Sequence, residues 1–165
     1  MTSFYRLMDR LSVLPVWVAS AALFALMLMT FFDVIMRSLF NAPFEPATEL
    51  TRILMAVLVF SVLPLISVRG GHINVDLLDG LFLRLRLHVW RDGLISLICG
   101  GLLYWPVMRL WVLAERARDY GDVTEYVGIP VYLVGWFICA MVALTAAAMI
   151  MQGLGYLARA AGLVR

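Results

Sequence analysis

"LSVLPVWVASAALFALMLMTFF", residues Leu11–Phe32, is the stretch that decides the fold. It contains no charged residue, and Arg10 and Asp33 stand on either side of it. A helix rises about 1.5 Å per residue, so the stretch reaches roughly 33 Å and can cross a hydrocarbon core about 30 Å thick. It predicts a membrane-spanning helix and indicates that lipid surrounds much of the chain.

The composition of the whole chain agrees with this. Hydrophobic residues make up 64% of the 165 residues and charged residues only 15%, too few polar side chains to cover a soluble domain of this size. The 13 basic residues are all arginine, and the formal net charge of +2 is too small to indicate a nucleic-acid partner.

Further apolar windows predict four spans, at roughly 11–36, 48–69, 91–114 and 130–153. Pro130 suits the first turn of the last span and Gly153 suits its end. Pro64 and Pro106 each remove a backbone donor inside a span, so we expect kinks there.

The connection between the second and third spans is long enough to form a helix of its own. Apolar residues recur at helical spacing between Asn74 and Asp92, with charged residues among them. We expect an amphipathic interfacial helix at about 74–86, and a soluble helical hairpin is the alternative. The predicted fold class is an all-α integral membrane protein with four transmembrane helices plus this interfacial helix.

The arginines predict the orientation. Eight of the 13 fall on the side that holds both termini and the connection between spans two and three. By the positive-inside rule, both termini and that connection are predicted to be cytoplasmic. The N-terminal segment is interpreted as an uncleaved anchor rather than a secretory signal, because its apolar run is too long for a signal core.

Catalytic chemistry finds little support in the residues. Both histidines, His72 and His88, lie outside the spans, which argues against a haem held between helices, and His72 with two nearby aspartates is a weak zinc set. No nucleophile stands at a recognisable spacing from a base, and no phosphate-binding loop occurs. We therefore predict no catalytic, cofactor-binding or metal-binding residue and no enzyme activity.

Small residues provide packing surface inside the spans. Three pairs have small-xxx-small spacing, namely Ala21 with Ala25, Ser96 with Gly100, and Ala143 with Ala147. Such pairs let helices approach closely, although small residues are also simply frequent in membrane helices.

Three motifs, in order along the chain, carry a family resemblance. They are "DVIMRSLFNAPFEPATELTR" (Asp33–Arg52), "RGGHINVDLL" (Arg69–Leu78) and "GDVTEYVGIPVYLVGW" (Gly121–Trp136). Together with four spans, they resemble the small membrane subunit, the DctQ family, of tripartite ATP-independent periplasmic (TRAP) transporters, over essentially the full length.

The resemblance implies a function. In such transporters a binding protein captures an organic acid, and a large membrane subunit (DctM-like) moves it inward by symport with Na⁺. The small subunit looks like a scaffold that packs on the large one, supports its elevator-type transport domain and helps dock the periplasmic substrate-binding protein. It would hold no cofactor, with Na⁺ on the large subunit, and phospholipid around it. The alternatives are a small membrane anchor of a redox complex and a free-standing small transporter or channel.

Six residues are candidates for structural or subunit contacts under this interpretation: Arg37, Glu49, Arg69, His72, Asp76 and Arg109. Asp33 and Arg37, four apart on one helix, are expected to form an interfacial pair. Arg37 and Glu49 flank the turn between the first two spans, where a salt bridge between them would pin the hairpin; two solvated charges at the membrane edge are the alternative.

The remaining candidates lie in the predicted cytoplasmic connection and in the third span. Arg69 would anchor the inner interface, Asp76 would lie near a helix N-terminus, and His72 would hold the loop by a hydrogen bond or be exposed. Arg109, about four residues from the expected end of the third span, can reach the interface by extending its side chain.

Overall fold

The structure, a computed structural model, describes residues 2–42, 44–68 and 88–160. Five helices lie within these ranges: α1 Thr2–Phe40, α2 Ala47–Val68, α3 His88–Leu102, α4 Tyr104–Tyr120 and α5 Val131–Ala160. They provide four segments long and apolar enough to cross a membrane, because α3 and α4 together form one span, Trp90–Tyr120. The predicted all-α membrane fold with four spans is confirmed. The predicted interfacial helix at 74–86, with Arg69, His72 and Asp76, lies outside the described residues.

A local break separates α3 from α4. Pro106 has no N–H group, so it cannot donate to the carbonyl one helical turn earlier, and Leu103 adopts a turn conformation there. Hydrogen bonds from Leu103 N–H to the Cys99 carbonyl (3.2 Å) and from Val107 N–H to the Leu103 carbonyl (3.1 Å) carry the chain across the break. The distortion expected at Pro106 is present, whereas α2 continues unbroken through Pro64.

Two helices run further than the sequence indicates. The helix of the third span continues past residue 114 to Tyr120, and α5 continues through Gly153 to Ala160. Charged residues mark where the bilayer ends, but a helix can extend into water because its hydrogen bonds are internal. Gly153 does not end α5, since in an apolar environment the backbone has no other partner to exchange for its helical hydrogen bonds.

The helices form a row rather than a closed four-helix bundle. α1 contacts α2, α2 contacts α5, and α5 also contacts α3 and α4. Among the described helices, α1 touches no helix except α2, and α2 does not touch α3 or α4. α5 therefore lies in the interior of the row, while α1 and the α3/α4 span form its two edges.

Glycines create the closest helix crossing, between α3 and α5. A Cβ atom built on Gly153 would lie 2.9 Å from the Gly93 carbonyl oxygen and 2.8 Å from Leu97 Cγ. A Cβ on Gly100 would meet Ile150 Cγ1 at 2.8 Å. The two backbones can approach this closely only because these positions carry no side chain.

Candidate functional site

Two connections meet at one end of the row, which we call the hairpin end: the α1–α2 turn (residues 41–46) and the α4–α5 loop (residues 121–130). They share this end because consecutive spans run in opposite directions. The last described residues of α2 and the first of α3 lie at the opposite end. Several polar contacts at the hairpin end join separate parts of the chain.

Asp33 holds the α1–α2 turn. One carboxylate oxygen, Oδ2, accepts a hydrogen bond from Arg37 Nη2 at 3.1 Å, and the other, Oδ1, accepts one from the Phe44 N–H at 3.1 Å. Asn41 adopts a left-handed conformation (φ 49°), which lets the chain leave α1 and turn back. The predicted pair between Asp33 and Arg37 is confirmed.

Hydrogen bonds within the α4–α5 loop fix its backbone conformation. Gly121 (φ 67°) ends α4, with its N–H donating to Arg118 O and the next N–H donating to Ala117 O, the two hydrogen bonds of a Schellman motif. Thr124 closes the other side of the loop, because its Oγ1 accepts from the Ile129 N–H at 2.9 Å.

Glu49, in the first turn of α2, joins this loop across the hairpin end. Its Oε1 accepts a hydrogen bond from the Glu125 N–H at 2.7 Å, and its Oε2 accepts from the N–H groups of Tyr126 (3.2 Å) and Val127 (3.0 Å). Consecutive backbone N–H groups that converge in a turn form an anion-binding concavity, and here a carboxylate of the same chain occupies it. The contact ties α2 to the α4–α5 loop, two parts separated by more than 70 residues.

This geometry decides between the partners considered for Glu49. Arg37 binds Asp33 within its own helix, and Glu49 binds loop backbone. The ion pair between Arg37 and Glu49 that the sequence allowed is therefore not the one that forms. The first turn of a helix also favours an anion at the Glu49 position, because the N-terminal end of the helix dipole is positive. The arrangement supports a structural role and not catalysis, because all three N–H groups are used to bind the Glu49 carboxylate and so connect the loop to α2.

Aromatic residues fix α4 against α5 near the same end. The Trp136 ring stacks on Trp111 (centroids 6.4 Å apart) and meets Tyr132 edge to face (5.3 Å), and the Arg118 guanidinium lies 5.5 Å from its centroid. A guanidinium over an indole face is attracted by the ring quadrupole. A Cβ atom on the adjacent Gly135 would lie 3.0 Å from Ala114 Cβ, so the two helices cross closely beside this cluster.

Sequence reasoning missed both the Glu49 contact and the aromatic cluster. The cluster had a usable signal, because Trp111 and Arg118 are seven residues apart and so share one helix face, as do Tyr132 and Trp136 at four. The Glu49 contact had only a weak one, the two glycines, Gly121 and Gly128, that allow a tight loop. Backbone donors leave no residue-type signature.

The remaining candidates are distributed differently. Arg109 is exposed on the third span and takes no part in the hairpin-end contacts described above. Arg69, His72 and Asp76 are outside the described residues. Within the described ranges, no three or more His, Cys, Asp or Glu residues group as they would around a metal ion.

Comparison with known protein families identifies a match to this chain. The family model described as the DctQ component of tripartite ATP-independent periplasmic transporters matches residues 26–159. The chain belongs to the DctQ family. The match runs from the second half of α1 almost to the end of α5 and includes both Asp33 and Glu49. No similar curated protein and no similar solved structure was found.

As a DctQ protein, the chain is a small subunit of a TRAP transporter and a multi-pass membrane protein. DctQ is a family of transporter components and not a class of catalytic enzymes. Membership also implies association with a DctM subunit and a substrate-binding protein. The redox-anchor alternative gains no support from the comparison.

Proposed function

We propose that this DctQ subunit is the static scaffold of a Na⁺-driven importer of organic acids. In this proposal it lies in the bacterial inner membrane with both termini in the cytoplasm, so the hairpin end faces the periplasm. It packs on the large DctM-like subunit, supports the elevator-type transport domain of that subunit and helps dock the periplasmic substrate-binding protein. Na⁺ and substrate bind to the other subunits, and this chain carries no cofactor.

The observation that carries the proposal is the row of helices whose hairpin end is held by hydrogen bonds and aromatic contacts. A row of helices has more lateral surface than a closed bundle of the same helices. In lipid the hydrophobic effect does not drive helices together, and they associate where their surfaces pack well. The lateral surface of the row can therefore bind a partner subunit whose shape matches it. At the same time, Glu49, Asp33 and the Trp136 cluster connect α1, α2, α4 and α5 at one end. A part that is broad and internally braced suits a frame against which another domain moves.

Reconstitution tests the proposal. Proteoliposomes would contain this chain alone, the large subunit alone, or both, with the substrate-binding protein and radiolabelled carboxylates added outside under an inward Na⁺ gradient. We expect uptake only when both membrane subunits and the binding protein are present, and collapse of uptake when the Na⁺ gradient is dissipated. Uptake by this chain alone would contradict the scaffold role, and undiminished uptake by the large subunit without it would do so as well.

A further inference from the structure

Arg109 lies within the apolar part of the third span. α4 continues to Tyr120, eleven residues past Arg109, so the C-terminal end of the helix is further from Arg109 than the sequence indicates. The first charged residue after it is Glu115, six positions further on and about 9 Å along the helix axis. Charged groups at such depth are costly and almost always have a partner.

The direction of the side chain makes escape to the nearer surface difficult. In an α-helix every Cα–Cβ bond tilts toward the N-terminus of the helix. α4 ends at the hairpin end, so the Arg109 side chain starts toward the middle of the span and away from Glu115. A lipid phosphate at the hairpin-end surface therefore lies on the unfavourable side of the residue.

Arg109 has no ion-pair or hydrogen-bond partner among the residues that the structure describes, and its side chain is exposed. Three large apolar side chains accompany it at helical spacing: Trp105 is 83% exposed, Met108 47% and Val112 43%. We call these four residues the Arg109 face. α4 contacts only α3 and α5 among the described helices, so none of the others covers this face.

We propose that the Arg109 face binds a transmembrane helix of the large subunit that offers a carboxylate to Arg109 inside the bilayer. The inference rests on the proposed function, and it adds the location and the chemistry of the contact. Charge complementarity selects the occupant, because an intramembrane cation whose side chain tilts away from the nearer surface is satisfied best by an intramembrane anion. Tryptophan, methionine and arginine are also the residue types enriched at protein interfaces.

Substitution and photo-crosslinking in the whole transporter test the contact. Arg109→Gln removes the charge, and Arg116→Gln is the matched control, because Arg116 is exposed on the same helix two turns further on, among the charged residues that follow the span. We expect Arg109→Gln to lower the amount of large subunit that co-purifies by at least about tenfold, since it leaves the partner carboxylate unpaired at membrane depth. Arg116→Gln should leave co-purification unchanged.

A photo-crosslinking amino acid in place of Met108 provides a second measurement that leaves Arg109 intact. It should form an adduct with the large subunit, and mass spectrometry should place the adduct beside an acidic residue of a transmembrane helix. Adducts with lipid alone, or full co-purification of the Arg109→Gln variant, would overturn the inference while leaving the proposed function standing. Failure of the wild-type chain to co-purify with the large subunit would instead contradict the proposed function and this inference with it.

Discussion

α5 and α1 show two different ways of occupying a membrane. Among the described helices, α5 contacts three others, and it buries residues through its middle part: Cys139, Val142, Thr145, Ala148 and Gly153. Within the described ranges, α1 contacts α2 and no other helix, and the buried residues among its described side chains are Ala19 and Ala22. The comparison teaches that the described helices pack around α5, whereas α1 has one neighbour among them and leaves most of its described surface to lipid or to another chain.

Residue size explains the difference. α5 meets α3 at glycines, so backbone packs against side chains and backbone, and many van der Waals contacts form without any driving force from water. α1 instead carries large side chains that remain more than half exposed, such as Phe24 (58%), Met27 (57%) and Phe31 (59%). Exposing large apolar side chains to lipid costs little free energy, and the same surface can bind another protein in place of lipid.

The largest predicted effect tests the α5 side of the comparison. Gly153→Leu should lower the free energy of unfolding by about 3 kcal/mol, because the new side chain would press on the Gly93 carbonyl and on Leu97. Gly155→Leu is the matched control, since a Cβ atom there has nothing within 4 Å, and it should change stability little. Thermal unfolding of the purified chain in detergent would measure both. Equal melting temperatures for the two variants would show that the α3–α5 crossing is not close.

A smaller effect is expected at the hairpin end. Glu49→Gln replaces one accepting oxygen by an NH₂ group that faces backbone donors, and it removes the charge from the remaining hydrogen bonds. We expect a loss of about 2 kcal/mol and faster amide exchange at Glu125, Tyr126 and Val127, whose N–H groups now bind Glu49.

Glu45→Gln is the control for this prediction, because Glu45 is exposed in the neighbouring turn. Hydrogen exchange followed by mass spectrometry would distinguish a local change in the α4–α5 loop from a general one. Unchanged protection of the loop in the Glu49→Gln chain would mean that Glu49 does not hold it.

The smallest effects are predicted on α1, and they separate its two faces. Ala22 is 5% exposed and Leu23 is 59% exposed, although they are adjacent. Ala22→Leu should cost about 1 kcal/mol by overpacking the contact with α2, whereas Leu23→Ala should remain within about 0.5 kcal/mol of the unchanged chain. The same melting measurement applies, and the reverse order of the two variants would place α2 on the other face of α1.

The sequence predicts the number of spans well because the physical cause is local. A window without charges between Arg10 and Asp33 has one low-energy arrangement in a membrane, and the pair of Asp33 with Arg37 follows from helical spacing alone. Helix ends are harder to predict. The charges at Glu115 mark the edge of the bilayer but not the end of α4, and Gly153 lies in the interior of a helix whose end it was expected to form.

The Glu49 contact marks the limit of sequence reasoning. Its donors are backbone N–H groups, which every residue except proline has, and they lie near Glu49 through the packing of α2 against α5, which the sequence does not reveal. Arg37, the partner that the sequence suggested across the turn, instead pairs with Asp33 in its own helix. Of the small residues that the sequence singles out by spacing, Gly100 does lie at a close crossing. Spacing alone does not predict that Gly153 packs against Gly93 and Leu97 of α3.

A reversible cross-link across the hairpin end tests the static scaffold most directly. Thr48 and Tyr126 are both exposed, and they flank the contact between Glu49 and the loop. Both would be replaced by cysteine in a chain whose native Cys99 and Cys139 are changed to alanine, then joined by a short cleavable linker in the complete reconstituted transporter. If this subunit is a fixed frame, Na⁺-driven uptake continues at the same rate with the link in place. Uptake that stops on linking and returns on cleavage would show that this end of the subunit moves during transport, and would contradict the account.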